Sequence, residues 1–567
     1  MPAPDLEALF VKHQARLEQA VRANRERFAW SPFIESPSRR HHPPGAHSAG
    51  RAAFEARCGS TMLSDQPCRT GWVGDETSPY TGERLDVRYP RVDVDGLLQH
   101  IERERRPWAR ATPRERVAVC LELLDQLAAQ TFENAYATMH TGGQGFLLAF
   151  AGSGASSLDR GLEALAMAWA AMDQIPARST FTRTFGTRAP VTLEKRYRLV
   201  PVGIAAVVTC GSYPAWNAWP AMLANLATGN PVVLKPHPNG ILPVAIAVET
   251  GRRVLRAAGF SPDLLTLVAD TADAPATVPL LQHPAVRIVD FTGSQRFGAW
   301  IESHCRDKQV YTETSGCNAV VLESVADLDA ALDAIAQSLC MFSAQMCTAA
   351  QNIWVSRDGV RTPEGMVTVD GVCRRLHEAI DRLVADPERA IGLCGTLQNP
   401  AVLQSIAALR SEATARGLPI VRDSTPISSP SWPNARTATP LVVRCTPDAR
   451  ELFAREHFGP MGFVIEADTP DHALHQAARD AREHGSIAAY AYALEPERQE
   501  AVVDVFADAG ASVGVNLLRQ RPINFTAAFS DFHVTGLNPA GNACLTDLAF
   551  VARRFRVVQS KVELPET

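Results

Sequence analysis

GIAAVVTC at residues 203–210 and PVVLK at 231–235 are two continuous apolar runs, and a helical segment that ends at Thr228-Gly229-Asn230 separates them. Runs of this kind are typical of strands that are buried on both faces of a parallel sheet. Further strand candidates follow at DLLTLVA, RIVDFTG and AVVLES, with helical segments such as LPVAIAVETGRRVLRAAG between them. This alternation predicts an α/β fold with a Rossmann-type parallel sheet and crossover helices.

Length and composition limit the class of protein. The chain has 567 residues, 46% hydrophobic and 21% charged, so we expect about three to four units of ordinary globular structure. A formal net charge of −5 is too close to balance for a nucleic-acid-binding surface. The segment from Met1 to Trp30 lacks the apolar core of a signal peptide, and we find no uncharged apolar stretch of about 18 residues. These features predict a cytoplasmic protein that does not bind nucleic acid or a membrane.

The cysteines are scattered along the chain. Twelve occur, and none forms a Cys-x-x-Cys pair. This spacing argues against a zinc site and against a disulfide scaffold. We therefore expect reduced thiols and no bound metal.

Four short motifs place polar groups at the ends of predicted strands. Lys235 lies at the carboxyl end of PVVLK, where ligands bind in open α/β sheets. Gly293 and Ser294 in FTGS open a predicted helix, whose free N–H groups can bind an anion. Glu313 follows another strand, and Cys347 lies in FSAQMCTAAQN. Taken singly, each residue has an ordinary structural interpretation, as an exposed lysine, a helix cap, a capping carboxylate or a buried thiol.

The order of the motifs carries more information than any one of them. PVG, T-G-N-x-V-V-L-K-P, F-T-G-S, a glutamate, Q-x-C and E-x-F-G-P (456–460) follow one another along the chain. This pattern resembles the aldehyde dehydrogenase superfamily from about residue 80 to the C-terminus. The resemblance implies an aldehyde dehydrogenase-like fold, with a Rossmann-type cofactor domain, an α/β catalytic domain and a β-strand oligomerisation arm.

The resemblance also implies roles for individual residues. Cys347 would attack the aldehyde as a thiolate, hydride would leave the thiohemiacetal for the nicotinamide, and Glu313 would activate the water that hydrolyses the thioester. The implied cofactor-binding residues are Lys235 at the adenosine ribose, Gly293 and Ser294 under the pyrophosphate, Glu456 at the nicotinamide ribose and Phe458 beside the nicotinamide ring.

The residues after Lys235 bear on the choice of cofactor. The sequence Lys-Pro-His-Pro (235–238) lacks the glutamate that NAD-preferring members usually carry two residues after Lys-Pro. A carboxylate there would repel a 2′-phosphate, whereas Lys235 and His237 would attract one. We therefore predict NADP as the cofactor, with NAD as the alternative.

Three positions depart from the family pattern. CGSYP (210–214) stands where many members read Pro-Trp-Asn-Phe-Pro, so the oxyanion-hole asparagine falls on Ser212. Asn217 is near in sequence but off register, because the downstream T-G-N motif fixes the spacing. Ala344 replaces the glycine of Gly-Gln-x-Cys, and SGC (315–317) replaces Gly-Gly-Lys. We expect these changes to affect substrate range and rate more than reaction type.

The N-terminal part narrows the resemblance. LFVKHQARLEQAV, the VKHQ…RFAWSPF spacing and QPCRTGWVGDETSPYTGERLDVRYP resemble the ring-opening aldehyde dehydrogenases of phenylacetic acid degradation. The implied substrate is a small-molecule aldehyde, a CoA-thioester semialdehyde from ring cleavage, and the product is its carboxylic acid. Two alternatives stay open: a broad-specificity aldehyde dehydrogenase of aromatic catabolism without a CoA requirement, and a catalytically impaired scaffold paralogue, because Ser212 replaces asparagine.

The predicted organisation is discontinuous. We expect an N-terminal extension at 1–75, a cofactor domain at 76–186 and 201–312, a catalytic domain at 313–545, and an arm at 187–200 and 546–567. Near the N-terminus, residues 5–28 predict a helix, whereas 36–50 predict an extended connection and 51–90 irregular structure.

The arm segments VTLEKRYRLV and ARRFRVVQSKV are strand-rich and would leave open edges in a monomer, so we expect a homodimer or a dimer of dimers.

Overall fold

The computed structural model describes residues 5–518, 523–545 and 547–565, so the ends of the predicted extension 1–75 and arm segment 546–567 fall partly outside it. The N-terminal part contains two helices and a two-stranded antiparallel sheet: α1 (Leu6–Glu26), α2 (Ala46–Arg57), β1 (Arg69–Val73) and β2 (Tyr89–Val92). The helix predicted at 5–28 is present as α1. Helix α2 corrects the prediction of extended and irregular structure, because it packs on a helix further along the chain through Gly50, where a Cβ would lie 2.2 Å from Phe132 Cβ.

A layer of helices follows: α3 (Val94–Glu104), α4 (Arg106–Arg110), α5 (Pro113–Ala129), α6 (Thr131–Gly142), α7 (Phe146–Phe150) and α8 (Ser157–Asp173). Helix α5 begins with a capping box between Thr112 and Glu115, which satisfies backbone N–H groups of its first turn. Helices α1, α5 and α8 pack on one another and bury a common core. None of the helices within the described ranges combines the length and apolar composition needed to cross a bilayer.

The next part of the chain forms a five-stranded parallel sheet. Its elements, with the two strands that precede it, are β3 (Arg178–Arg183), β4 (Val191–Pro201), β5 (Ile204–Val208), α9 (Ala218–Ala227), β6 (Val232–Lys235), α10 (Leu242–Ala257), β7 (Leu265–Leu267), α11 (Thr277–Gln282), β8 (Val286–Thr292), α12 (Gln295–His304) and β9 (Gln309–Glu313). The strand order is β7-β6-β5-β8-β9. Lys235 and Glu313 therefore both lie at the carboxyl edge of this sheet, where parallel sheets bind ligands.

A second sheet has seven strands in the order β14-β15-β16-β11-β10-β17-β18, parallel except for β14. It takes in AVVLES, which the sequence grouped with the strands of the first sheet. The elements of this part are β10 (Ala319–Leu322), α13 (Leu328–Cys340), β11 (Asn352–Ser356), β12 (Val360–Thr362), β13 (Gly365–Val367), α14 (Val369–Val384), α15 (Pro387–Cys394), α16 (Ala401–Ala415), β14 (Ile420–Arg422), β15 (Leu441–Cys445), α17 (Arg450–Phe453), β16 (Met461–Ala467), α18 (Pro470–His484), β17 (Ala488–Tyr492), α19 (Pro496–Asp508) and β18 (Ser512–Val515).

The chain ends with α20 (Leu548–Ala552) and β19 (Phe555–Glu563), and β19 returns to β4. These strands form an antiparallel sheet in the order β19-β4-β3. The sheet includes residues 178–183, which the sequence placed with the cofactor domain. Val557, Val558 and Val562 are 44–54% exposed along β19, so this sheet presents apolar side chains to its surroundings.

Candidate active site

Every residue predicted for catalysis or cofactor binding lines one cavity of about 1030 Å³ between the two large sheets. The lining includes Ser212, Lys235, His237, Gly293, Ser294, Glu313, Cys347, Glu456 and Phe458. The cavity therefore brings together residues from six separate parts of the sequence.

Cys347 follows a strained turn after α13. Phe342, Ser343 and Ala344 have φ of 51°, 49° and 50°, the left-handed region that costs non-glycine residues roughly 1–2 kcal/mol each. The Gln345 amide holds this turn by donating to the carbonyl oxygens of Phe342 and Thr396 at 3.1 and 2.9 Å. The turn thus presents the thiol to the cavity even though Ala344 replaces the family's glycine.

Burial controls the ionisation of the thiol. It raises the pKa of Cys347 well above the ordinary value, and the nearby Glu313 carboxylate raises it further. Cys340, the nearest other cysteine before it, ends α13 inside the core and is fully buried. The structure therefore makes Cys347 the better placed of these two thiols for attack on a substrate.

Glu313 is the last residue of β9 and is almost completely buried. Burial acts to raise its pKa, but the His533 ring, in its protonated state, opposes this and holds the pKa below the ordinary value. Its Oε1 lies 3.2 Å from His533 Nε2, whereas its Oε2 has no hydrogen-bond partner among the described residues. One carboxylate oxygen is thus left to accept a hydrogen bond from another molecule, such as a water.

The structure places Ser212 and Asn217 differently from the sequence-based register. The Ser212 hydroxyl is directed at Cys210 Sγ, 4.0 Å away. The Asn217 side chain, predicted to be off register, lines the cavity, donates from Nδ2 to Thr292 Oγ1 at 3.0 Å and helps to lower the pKa of Glu313. Asn217 is therefore a second candidate oxyanion donor beside Ser212, and the register argument that set it aside is corrected.

The side of the cavity that is predicted to bind the cofactor begins at Lys235, the buried last residue of β6. Its Nζ lies 2.8 Å from Asp270 Oδ1 and donates to the Pro236 carbonyl oxygen at 2.6 Å. Burial lowers the pKa of Lys235, although Asp270 opposes that change, and burial also lowers the pKa of His237. The sequence motifs did not indicate Asp270, because only the assembled sheet brings it close to Lys235.

Helix α12 supplies the second part of the cofactor side. Ser294 is its N-cap, and the Ser294 Oγ accepts from the Phe297 N–H at 3.4 Å. A Cβ at position 293 would lie 2.6 Å from the Phe291 ring, so glycine keeps the approach to the helix N-terminus open. An open helix N-terminus near a lysine suits a pyrophosphate group, so these residues fit a dinucleotide.

Glu456 and Phe458 form the opposite wall. Burial raises the pKa of Glu456 to about 7, and the Ser315 hydroxyl donates to its Oε1. Phe458 is 37% exposed, which leaves its ring free to pack against a ligand. This pairing of a hydrogen-bonding carboxylate and an aromatic ring fits a ribose and its attached base.

His533 was missed by the sequence analysis. It lies in SDFHVTG, beyond the last quoted motif, and packs beside Glu313 and Cys347 with its ring almost fully buried. No residue pattern around it indicates a role, because only the folded chain brings this segment to the thiol. The same holds for Trp216, whose indole N–H donates to His533 Nε2 at 3.3 Å.

Comparison with known proteins gives consistent results. A model of the aldehyde dehydrogenase family matches residues 75–520. The crystal structure of an NAD-dependent aldehyde dehydrogenase from Burkholderia multivorans is 42% identical, covers 99% of this chain and 100% of its own, and superposes with a TM-score of 0.96. The predicted fold class is thereby confirmed.

Curated relatives are more distant. The NAD(+) benzaldehyde dehydrogenase of Pseudomonas putida is 23% identical over 72% of this chain and 78% of its own length. The NADP(+) succinate-semialdehyde dehydrogenase of Deinococcus radiodurans is 26% identical over 70% of this chain and 78% of its own. For some other relatives the match spans about half of their length.

Proposed function

Because the chain belongs to the aldehyde dehydrogenase family, we propose that it oxidises an aldehyde to a carboxylic acid through a thioester on Cys347. It is an oxidoreductase of that family, and the prediction of an NAD(P)-dependent enzyme agrees with the relatives found. The observation that carries the proposal is the single cavity in which Cys347, Glu313 and Lys235 meet the N-terminus of α12.

The chemistry divides between two side chains. The Cys347 thiolate attacks the carbonyl carbon, and a bound nicotinamide cofactor would supply the acceptor for the hydride that the resulting adduct must lose. Glu313 then takes a proton from the water that attacks the thioester, which its partnerless Oε2 is placed to do. Hydrolysis expels the thiolate and releases the carboxylic acid.

Lys235, His237, Gly293 and Ser294 hold the adenosine and pyrophosphate parts of the cofactor in this proposal, and Glu456 and Phe458 hold the nicotinamide part. We retain NADP as the preferred form because Pro238 stands where NAD-preferring members of the family usually carry a glutamate. Asp270 works against that preference, since it already pairs with the Lys235 ammonium.

The substrate proposal is a CoA-linked semialdehyde from aromatic ring cleavage, as the resemblance of the N-terminal segment implies. An aromatic aldehyde without CoA is the second candidate. Tyr213, Trp216 and Phe525 line the cavity near the thiol and supply aromatic surface for such a ring. The benzaldehyde dehydrogenase relative also supports this second candidate.

The proposal includes a homo-oligomer and a cytoplasmic location. The exposed valines of β19 and the open outer edges of the β19-β4-β3 sheet support pairing with a second subunit. Light scattering should give a mass of two or more times 61.4 kDa. A monomer mass at micromolar concentration would contradict the oligomer.

A substrate panel tests the function. The purified protein is mixed with an acyl-CoA semialdehyde, the same semialdehyde without CoA, or benzaldehyde, each with NAD or NADP, and reduced cofactor is followed. We expect kcat/KM to be at least about tenfold higher for the CoA-linked substrate. Equal rates with and without CoA would favour the broad-specificity enzyme. No cofactor reduction above the Cys347→Ala variant would favour the scaffold paralogue.

A further inference from the structure

His533 has no part in the chemistry proposed above, yet it lies beside both reacting side chains. Its Nε2 is 3.8 Å from Cys347 Sγ and 3.2 Å from Glu313 Oε1. The ring is almost fully buried, and Trp216 contacts it edge-on, with ring centroids 5.5 Å apart. A fixed imidazole beside a nucleophilic thiol has the geometry of a general base.

The hydrogen bonds around Nε2 constrain its protonation. The Trp216 indole N–H is only a donor, so its 3.3 Å approach to Nε2 requires a lone pair on that nitrogen. The Cys347 thiol is a second donor that faces the same lone pair. In the neutral ring, Nε2 is therefore an acceptor directed toward the thiol proton.

The Glu313 carboxylate stabilises the protonated state of the His533 ring. An ionised carboxylate only accepts hydrogen bonds, so its contact with Nε2 is favourable when that nitrogen carries a proton. The imidazolium formed by proton uptake would thus lie against an anion in a buried site, where attraction is strong. The same Nε2 atom serves as acceptor before the transfer and as donor after it.

The thiol needs such a base. Burial raises the pKa of Cys347, and the Glu313 carboxylate raises it further, so the isolated side chain would carry little thiolate near neutral pH. The other charged or titratable groups that bear on this pair are Cys210, Tyr213 and Tyr490, which interact with Cys347, and Arg160, which lies over the Trp216 ring and acts on Glu313.

We propose that His533 is a catalytic residue that takes the proton of the Cys347 thiol, which leaves Glu313 to activate water. The S–H bond breaks, a bond forms between the proton and Nε2, and the sulfur electron pair attacks the aldehyde carbon. The proton returns to Sγ after the thioester is hydrolysed and the thiolate is expelled. The inference rests on the proposed function, because it assigns the base for the same nucleophile.

The alternative to proton transfer by His533 is a metal ion bound at the same three side chains. Glu313, Cys347 and His533 each offer one ligand atom, and these atoms all lie within 4.8 Å of one another, which the sequence argument against a zinc site did not foresee. The Trp216 N–H argues against the ion, because its positive end points at the nitrogen that would have to bind the metal. Treatment with a chelator distinguishes a bound metal ion from proton transfer by His533.

The test measures thiol reactivity, which needs no aldehyde. The full-length wild type and the His533→Gln variant are treated with iodoacetamide from pH 6 to 10, and mass spectrometry quantifies the peptide that contains Cys347. At pH 7 we expect the variant to react about 10–100-fold more slowly, with convergence at high pH. Exposed Cys58 reports on general reactivity in the same samples and should not change.

Two further variants keep the test decisive. Trp216→Phe removes the indole N–H, which permits the tautomer with a proton on Nε2, so alkylation should slow by about 3–10-fold. His377→Gln, on the exposed face of α14, is the matched control and should leave the Cys347 profile unchanged. Melting temperatures confirm that each variant is folded.

The outcomes separate the two proposals. Identical Cys347 profiles in wild type and in both site variants would overturn the role of His533. Wild-type alkylation that accelerates when EDTA is added would overturn it in favour of a bound metal. If no aldehyde is oxidised while alkylation depends on His533 as expected, the proposed function fails, and what stands is that His533 takes the proton of the Cys347 thiol.

Discussion

The two ends of the cavity bring together different kinds of charged group. At the end predicted to bind the adenosine, the charge of Lys235 is matched by Asp270, and the Ser294 side chain caps its own helix. At the thiol end, the Glu313 carboxylate faces the His533 ring instead of a lysine. Buried polar atoms without a hydrogen-bond partner cost free energy, and both ends contain them: Thr209 Oγ1 beside Lys235, and Glu313 Oε2 and His533 Nδ1 at the thiol end. The first end pairs an ammonium with a carboxylate, whereas the second pairs an imidazole with a carboxylate and so offers groups that can take up protons.

The largest expected effect comes from substitutions of Cys347 and Glu313, which have different proposed roles at the thiol end. Cys347→Ala should abolish both turnover and the first burst of reduced cofactor, because it removes the nucleophile. Glu313→Gln keeps the shape but removes the base, so one equivalent of reduced cofactor per site should form and deacylation should then be very slow. Rapid-mixing experiments measure the burst, and mass spectrometry detects the adduct on the Cys347 peptide.

Loss of the burst in Glu313→Gln would mean that Glu313 activates the thiol, and it would undermine the separate role of His533. Retention of the burst in Cys347→Ala would place the nucleophile on another cysteine, with Cys340 the first to examine.

The second prediction concerns the oxyanion donor. Removing one such donor typically lowers kcat by ~10²–10³. If Ser212 has this role, Ser212→Ala should show that loss and Asn217→Ala a smaller one; the contacts of Asn217 with Thr292 and Glu313 favour the reverse order. Steady-state kinetics of the two variants, with unfolding curves as the control, decides between them.

At the adenosine end the expected effect is on binding. Lys235→Ala should weaken NADP about 10–100-fold more than NAD, because it removes a charge-assisted contact to the 2′-phosphate. Pro238→Glu should shift the preference toward NAD by repulsion. Dissociation constants for both cofactors, measured by fluorescence titration, test this. Equal affinities in the wild type that neither substitution changes would remove the argument for NADP.

The smallest expected effect is a pH dependence at Glu456. Because burial raises its pKa from 4.5 to about 7, the folded state binds this proton more tightly than the unfolded state. Its contribution to stability is therefore present below about pH 4.5 and is lost as pH rises through 7. Glu456→Gln should match the wild type at low pH and be more stable at pH 8 by roughly 1–2 kcal/mol, allowing for the partial exposure of the group. Urea unfolding at both pH values measures this, and a constant difference would contradict it.

The sequence was informative where a functional side chain ends a strand or opens a helix. Lys235, Ser294 and Glu313 are such cases, since local structure alone puts them at the edge of a parallel sheet. Asp270 and His533 could not be found in this way, because tertiary packing brings them to their partners. Asn217 was missed for a related reason: a register counted along the chain does not fix where the loop before α9 directs its side chains.

Helix α2 illustrates the same limit at the level of secondary structure. Its sequence, AHSAGRAAFEAR, contains a glycine that weakens an isolated helix. In the fold that glycine permits close packing on α6, and tertiary contact outweighs intrinsic propensity. The division of the chain into cofactor, catalytic and arm domains stays a prediction.

The segment that carries His533 is also held by the start of the chain. The Arg27 guanidinium lies 3.8 Å above the Phe532 ring, and Trp30 contacts Phe529 edge-on. His533 is 186 residues after Cys347, so at ~5–20 residues/s a ribosome makes the thiol about 10–40 s before the imidazole. Arg27 and Trp30 are made before Cys347, so their contacts with this segment form only after that interval. During synthesis the nascent chain therefore carries the proposed nucleophile without the proposed base, until the segment with His533 folds against Glu313 and Cys347.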